Sequence, residues 1–279
     1  MTARKSGCKP IFLSMNISRL LTAGLFCAGI ASLAARPAHA TPSTLGFYPS
    51  TDIYGPQTFH FDADTYQSSD FKNGVFSSSG ITYGLGKETN GPFGRTEIGA
   101  DYNFGSSGPL TFSKRIFGNA KTQLFNNNAS QTRVVAGAWG LGDSTLNPNY
   151  IYLLGSKNFA SVGRVHVGVA HGLAKNYFAG TGRTSLQLGY DRYITPKLQF
   201  AVDYYSGKGP ASGVQPTLYY YINDRADFGL GYFRLNDSAL SNRNQVYVCF
   251  DYNFDFKRPV QSTTAAPAPE TSTQSPATN

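Results

Sequence analysis

Three side chains that bind metals or transfer protons occupy every second position near the start of the sequence. His60, Asp62 and Asp64 alternate with apolar residues in the stretch 58–66. An imidazole and two carboxylates can ligate a divalent metal or act as general acid and base. Because side chains of a strand point alternately to its two faces, this stretch is predicted to have one acidic face and one apolar face.

The elements that position these side chains are predicted from the same alternation elsewhere in the chain. Period two indicates strands, each with one apolar face. It is clearest in segments 58–66, 81–86, 97–104, 164–169, 186–191, 198–205, 227–232 and 246–254. Less regular strands are predicted at about 117–126, 132–141, 149–158 and 214–222. These segments predict about twelve strands of roughly ten residues, the length that a transmembrane strand requires.

The connections alternate between short and long in the C-terminal half of the chain. Short turns at 194–197 and 223–225 are separated by the longer segments 206–213 and 236–244. Outer-membrane barrels have short periplasmic turns and longer outer loops, so both chain ends are expected in the periplasm. The same alternation predicts outer loops at 67–78, 105–116, 142–148 and 173–182. A soluble β-sandwich is the alternative, with the apolar faces packed against a second sheet.

The first forty residues are predicted to be a secretory signal peptide, with translation starting at either Met1 or Met15. A basic start precedes the uncharged run 20–35 and the small-x-small sequence at 38–40. Residues 1–40 contain five basic and no acidic residues, which is more than half of the net charge of +8. The mature chain is therefore only weakly basic, and we expect no nucleic-acid partner.

The mature chain is divided by composition into three parts. We predict a periplasmic N-terminal lead at 41–56, the barrel at 57–256 and a disordered tail rich in Pro, Thr and Ser at 257–279. Cys249 is the single cysteine after residue 40, which excludes a disulfide framework within one chain.

Several segments resemble poorly characterised bacterial outer-membrane β-barrel proteins of the porin-like type. The resemblance is carried by Gly-Tyr-Asp-Arg-Tyr-Ile-Thr-Pro-Lys at 189–197, Ala-Val-Asp-Tyr at 201–204, Gly-Tyr-Phe at 231–233 and Asp-Tyr-Asn-Phe at 251–254. It implies an all-β, antiparallel up-and-down barrel in the outer membrane of a Gram-negative cell. The expected partners are outer-membrane lipid and lipopolysaccharide, the barrel assembly machinery, and small hydrophilic solutes or ions. Such barrels usually end in a Phe; Phe254 matches, although the chain continues beyond it.

If the apolar faces meet lipid, the opposite faces line the lumen. The predicted lumen-lining residues are His60, Asp62, Asp64, Glu97, Asp101, Lys121, Arg164, His166, Asp191, Asp203, Tyr205, Asp227 and Asp251. Carboxylates outnumber bases in this set, and a lumen lined by one sign of charge attracts counter-ions. The alternative is that these carboxylates pair with bases or tyrosine hydroxyls and only stabilise the interior.

No catalytic residue, metal site or cofactor is predicted. None of His60, His166 and His171 is followed two residues later by the Ser of an outer-membrane phospholipase arrangement. The trio at 60–64 lacks a fourth metal ligand within its own strand. The predicted function is a passive channel for small hydrophilic solutes with a mild cation preference. The alternatives are a narrow closed barrel with a structural or surface-interaction role and, less favoured, a barrel enzyme; the sequence specifies no oligomeric state.

Overall fold

The computed structural model describes residues 44–71, 76–104, 115–143, 149–173, 182–240 and 242–255. Within these residues, antiparallel strands form one continuous sheet. The strands are β1 (Thr58–Ser68), β2 (Phe76–Leu85), β3 (Gly91–Pro92), β4 (Thr96–Asn103), β5 (Ile116–Asn127), β6 (Thr132–Gly142), β7 (Tyr150–Phe159), β8 (Gly163–Gly172), β9 (Thr184–Thr195), β10 (Leu198–Tyr205), β11 (Gly213–Tyr221), β12 (Ala226–Leu235) and β13 (Asn244–Asp255). The predicted signal peptide and C-terminal tail lie outside the described residues.

The sheet closes on itself as a twelve-stranded barrel. Each long strand pairs with the next one in the chain, and β1 pairs with β13 from Thr58↔Asp255 to Ser68↔Gln245. The two-residue β3 is not a separate strand of the barrel wall, because it pairs with the end of β5 beside β4. Closure leaves no unpaired edge among the twelve long strands that the structure describes, which is the condition for a sheet to exist in hydrocarbon. The predicted all-β, up-and-down barrel of about twelve strands is confirmed.

Alternation along each strand separates an apolar exterior from a polar interior. On β8, Val165, Val167 and Val169 are 37%, 51% and 49% exposed, whereas His166 between them is 1% exposed. No second sheet of the described residues covers this exterior. An apolar band on the outside of a closed barrel is the surface that lipid requires. The protein is an outer-membrane β-barrel, and the β-sandwich alternative is wrong.

The barrel has a turn end and a loop end, which we define by the connections between strands. The turn end carries the short connections 128–131, 160–162, 196–197 and 222–225, as well as the first and last residues of the barrel. It also carries the longer connection 86–95, which contains β3, whereas the loop end carries the connections that alternate with these along the chain. The first loop-end connection is shorter than predicted, because pairing of β1 with β13 continues to Ser68 and leaves only 69–75 as a connection. Among the described residues, no helix is long and apolar enough to cross a membrane.

Residues 44–56, which we call the inner segment, lie inside the barrel. The prediction of a periplasmic lead is therefore corrected for this stretch. Leu45, Tyr48 and Ile53 are 3%, 1% and 4% exposed, so they remove apolar surface from water within the lumen. The backbone bonds to inward-facing polar side chains of the barrel, as the next subsection describes, so that the buried segment has hydrogen-bond partners.

Candidate functional site

The inner segment is held at its N-terminal part by a carboxylate of β10. The backbone N–H groups of Gly46, Phe47 and Tyr48 all donate to Oδ2 of Asp203, at 2.9, 2.9 and 3.0 Å. Consecutive N–H groups converging on one anion form a backbone nest, here filled by a side chain of the same protein. The Tyr48 hydroxyl also donates to the carbonyl of Ala211. These bonds fix residues 46–48 against the barrel wall.

A charged network holds the middle of the inner segment. Asp52 Oδ1 accepts from Arg133 Nη1 at 2.9 Å and from Arg164 Nη1 at 2.6 Å, and Asp52 Oδ2 accepts from Arg164 Nη2 at 2.6 Å. Arg164 also donates through Nε to Asp191 at 2.9 Å. Burial by itself raises the pKa of Asp52, but the two guanidinium groups outweigh it and hold that pKa well below its usual range. Asp52 is thus an ionised anchor in the lumen.

A second ion pair, on the neighbouring strands β4 and β5, also contacts the inner segment. Lys121 Nζ lies 3.2 Å from Glu97 Oε1 and donates to the carbonyl of Ser50 at 3.2 Å. The backbone N–H of Tyr54 donates to Glu97 Oε2 at 3.0 Å, and the Tyr54 ring stacks on His60 with centroids 4.3 Å apart. The segment is therefore bound to opposite walls of the lumen.

Two inward-facing glycines leave room for the inner segment. A Cβ at Gly84 of β2 would collide with the carbonyl oxygen of Gly55, and a Cβ at Gly189 of β9 would collide with the Leu45 side chain. A side chain at either position would displace the segment. Glycine in these strands permits a close backbone approach rather than only curvature.

The inner segment separates two cavities in the lumen. The loop-end chamber has a volume of about 250 Å³ and is lined by Phe47 and Tyr54 of the segment together with residues of β1, β4 and β13. The turn-end chamber has a volume of about 430 Å³ and is lined by Asp52 together with residues of β5 to β9. Both chambers carry polar walls. A solute crossing the barrel would have to pass the segment between them.

A row of four carboxylates runs across the barrel wall, and three of them, Asp62, Asp101 and Asp251, line the loop-end chamber. Asp227 of β12 is in register with Asp251 of β13, Asp251 with Asp62 of β1, Asp62 with Gly80 of β2, and Gly80 with Asp101 of β4. We call these four aspartates the aspartate belt. Like charges directly opposite each other in a sheet are unfavourable. A fold alone has no reason to align them, which makes the belt a candidate functional feature.

The belt carries few compensating bases among the described residues. His60 Nε2 lies 3.2 Å from Asp251 Oδ1, and Asn119 donates to Oδ2 of Asp101. Oδ2 of Asp62 and Oδ1 of Asp227 are buried without a hydrogen-bond donor from any described residue. Carboxylate oxygens without donors are costly to bury and are an attractive target for a cation.

The predicted lumen-lining residues all lie on the inward face of their strands, but they fall into separate groups. Asp62, Asp101, Asp227 and Asp251 form the belt, with His60 and Asp64 beside it. Glu97 and Lys121 form one ion pair, whereas Arg164, His166 and Asp191 form a second cluster. Asp203 and Tyr205 contact residues 46–48, with the Tyr205 ring packed on Tyr48.

Sequence reasoning missed the inner segment and its contacts, including Asp52 and Arg133. One signal was present: residues 45–54, Leu-Gly-Phe-Tyr-Pro-Ser-Thr-Asp-Ile-Tyr, are rich in apolar and aromatic side chains. A solvated lead would expose these side chains at a cost that burial removes.

In the sequence, the histidines are candidates for catalytic or metal-binding residues. In the structure, His60 and His166 are both bound to neighbouring side chains. His166 Nε2 lies 2.9 Å from Asp191 Oδ1, but the residue is 1% exposed, and Asp191 is also bound by Arg164. His60 bonds to Asn253 through Nδ1 at 3.0 Å. Within the part of the chain that the structure describes, no three His, Cys, Asp or Glu side chains are grouped so as to hold a metal ion.

Comparisons with known proteins return solved structures only. No family model matches the chain, and no curated protein matches it. A KdgM porin aligns over 70% of this chain and 99% of its own, with 12% identity and a TM-score of 0.46. An outer membrane channel from Pseudomonas putida F1 aligns over 77% and 100%, with 10% identity and a TM-score of 0.48. Outer membrane phospholipase A from Escherichia coli aligns over 72% and 93%, with 16% identity and a TM-score of 0.36.

Proposed function

We propose that the protein is an outer-membrane channel for small hydrophilic solutes whose lumen the inner segment closes. The observation that supports this most directly is the pair of polar chambers, which face opposite ends of the barrel and are separated by the inner segment. A barrel with a purely structural role has no need of polar chambers at both ends. Insertion by the barrel assembly machinery and contact with lipopolysaccharide belong to this proposal.

A mild cation preference is part of the proposal. The aspartate belt places its charges on one wall with His60 as a paired base, whereas the charges around Asp52 are neutralised by Arg133 and Arg164. Clefts lined by one sign of charge concentrate ions of the opposite sign. A reversal potential across a potassium chloride gradient should therefore indicate a cation preference. An anion-selective potential would contradict it.

The test of the channel is single-channel conductance in a planar bilayer. The mature chain and a variant lacking residues 41–54 are compared, and heat-modifiable migration on a gel confirms that both are folded. We expect the intact chain to conduct little and the shortened chain to conduct in larger, stable steps. A folded shortened chain that conducts no ions would contradict the channel.

The second candidate is a closed barrel with a structural or surface-interaction role. The contacts that favour it are those of the inner segment, which is bound by Asp203, by two arginines and by the Glu97–Lys121 pair. On this reading the segment is a permanent part of the core. Recordings of the intact chain separate the two functions, because only a channel opens and closes while the inner segment is present, whereas a structural barrel conducts only after the segment has been deleted.

A further inference from the structure

The loop-end chamber has walls of two chemical types that face one space. Apart from Glu97, which is paired with Lys121, four carboxylates line it: Asp62, Asp64, Asp101 and Asp251. Aromatic rings line much of the remainder, with Phe47, Tyr54, Tyr66, Trp139, Phe233 and Tyr247 among them. The cavity of about 250 Å³ has room for one small organic molecule or several waters.

Two of the carboxylates converge across a glycine. A Cβ at Gly80 would collide with Oδ1 of Asp101 and would lie 2.7 Å from Oδ2 of Asp62. The carboxylates of both aspartates therefore lie next to Gly80 of β2. Oδ2 of Asp62 meets no hydrogen-bond donor among the described residues. The missing donor is what an ammonium or other cationic N–H or N–CH₃ group supplies.

The other two carboxylates are oriented by neighbouring side chains. Asp64 Oδ1 accepts from the Tyr247 hydroxyl at 2.8 Å, and Asp251 Oδ1 lies 3.2 Å from His60 Nε2. These contacts fix the orientation of both side chains beside the chamber. Among the described residues that line the chamber, the primary amine is that of Lys121, which is bound to Glu97 and to the inner segment.

The aromatic rings add the second half of a recognition site. Tyr66 stacks on Tyr247 with centroids 4.7 Å apart, and Phe47 stacks on Phe233 at 5.0 Å. Such packed pairs keep ring surfaces rigid. The face of an aromatic ring attracts a cation, most strongly when the cation is poorly hydrated. Rings and carboxylates together favour an organic cation over a neutral solute.

We propose that the loop-end chamber is a binding site for a small organic cation, an amine or quaternary ammonium compound. The cationic group lies over Gly80 between Asp62 and Asp101, and its alkyl part contacts the aromatic wall. The conclusion that such a cation is the solute that enters the channel rests on the proposed function. As a binding site it can be tested without transport.

An organic cation fits the chamber better than a metal ion. The described carboxylates are not grouped in threes around one point. A hydrated divalent ion prefers several oxygen ligands and gains little from aromatic walls. A cation with a hydrocarbon shell uses both types of wall.

Trp139 makes the proposal directly measurable. It is the single tryptophan of the sequence and lines the loop-end chamber. We would titrate the folded mature protein in detergent micelles with choline, with its neutral isostere 3,3-dimethylbutan-1-ol and with calcium chloride, following Trp139 fluorescence. We expect saturable quenching by choline at concentrations roughly tenfold or more below those needed for the neutral isostere.

Two variants locate the site. Asp62→Asn combined with Asp101→Asn should weaken choline binding by roughly tenfold or more, because it removes both converging charges. Asp224→Asn, in the connection between β11 and β12 at the turn end, removes the same type of charge far from the chamber and should leave binding unchanged. Gel mobility confirms folding of each variant.

Three outcomes would overturn the proposal: equal binding of choline and its isostere, saturable binding of calcium but not of choline, or no loss of choline binding in the double variant. The bilayer test of the channel is independent of these results. A barrel that binds choline without conducting would refute the channel and keep the site. A barrel that conducts without binding choline would refute the binding site and keep the channel.

Discussion

Two walls of the same lumen differ in how many partners surround their buried charged side chains. On the anchoring wall, formed by β6 and β8 to β10, Arg133 and Arg164 are matched with Asp52 and Asp191, and Asp203 accepts three backbone N–H groups. On the opposite wall, the aspartate belt aligns four carboxylates across β12, β13, β1 and β4 with fewer partners.

The difference separates charges that hold the structure from charges that face solute. A buried charge is tolerated when partners repay its desolvation, and the arginine-bound carboxylates of Asp52 and Asp191 meet that condition, although Oδ1 of Asp203 has no donor among the described residues. The belt does not meet that condition, yet it borders a chamber into which a ligand or ion can bring the missing charge. Lumen carboxylates are therefore not equivalent, although they share strand parity. The following predictions test that contrast, beginning with the largest effect.

Arg164→Ala should be the most damaging single change in the lumen. It leaves Asp52 and Asp191 buried next to each other without their shared guanidinium. Removing one partner of a buried ion pair costs about 3–5 kcal/mol. Chemical unfolding in micelles should show the loss. The matched control is Arg192→Ala, an exposed arginine on β9 that should change stability by less than about 0.5 kcal/mol. Equal effects of both changes would remove the distinction between the anchoring wall and the surface.

Asp203→Ala should release the inner segment with a smaller loss of stability. Three N–H groups of the inner segment, two of them buried, lose their carboxylate acceptor, at a cost of roughly 2–3 kcal/mol to the closed state. We expect more frequent open events in single-channel recordings. Asp203→Asn keeps an oxygen acceptor and should lie between the wild type and the alanine variant. Unchanged gating in Asp203→Ala would show that the segment is held without the nest.

Asp227→Asn should raise the unfolding free energy, whereas substitutions on the anchoring wall should lower it. It removes one of two carboxylates in direct register with each other, so the unfolding free energy should rise by about 0.5–1 kcal/mol. Asp191→Asn, which weakens contacts with Arg164 and His166, should lower it. The two variants are compared by unfolding in the same detergent. Destabilisation by both would mean that the belt is as well compensated as the other wall.

Mild acid should leave the Asp52 anchor of the inner segment in place. The pKa of Asp52 is lowered, so the stabilisation it provides is present above its unfolded pKa and lost only as the pH falls through the lower folded value. The groups facing it are Arg133 and Arg164, with Asp191 and His166 behind them. Between neutral pH and about pH 5, above the ordinary Asp pKa of about 3.9, Asp52 should stay ionised, so the ratio of open probabilities of Asp52→Asn and the wild type should not change. Opening of the wild type over that range, but not of Asp52→Asn, would contradict an ionised anchor.

The sequence by itself determined the strands, their facing and the closure into a barrel. Alternation such as that of Val165, Val167 and Val169 with Arg164 and His166 fixes which side chains point outward, because strand geometry has period two whatever the neighbouring strands are. Strand number and connection lengths then follow from the spacing of these segments, and closure follows from the need to pair every edge in lipid.

Only the tertiary structure decided which inward side chains meet. Register between strands distant in sequence, such as Asp62↔Asp251, cannot be obtained from the alternation of either strand. The position of residues 44–56 depended likewise on the shape of a lumen that exists only after closure, with Gly84 and Gly189 leaving space for it. Periodicity is a local property of the chain, whereas pairing of buried charges depends on distances that closure of the barrel sets. For that reason Asp203 became an anchor of the inner segment and Asp62 a candidate ligand for a cation, although the sequence presents both as the same kind of residue.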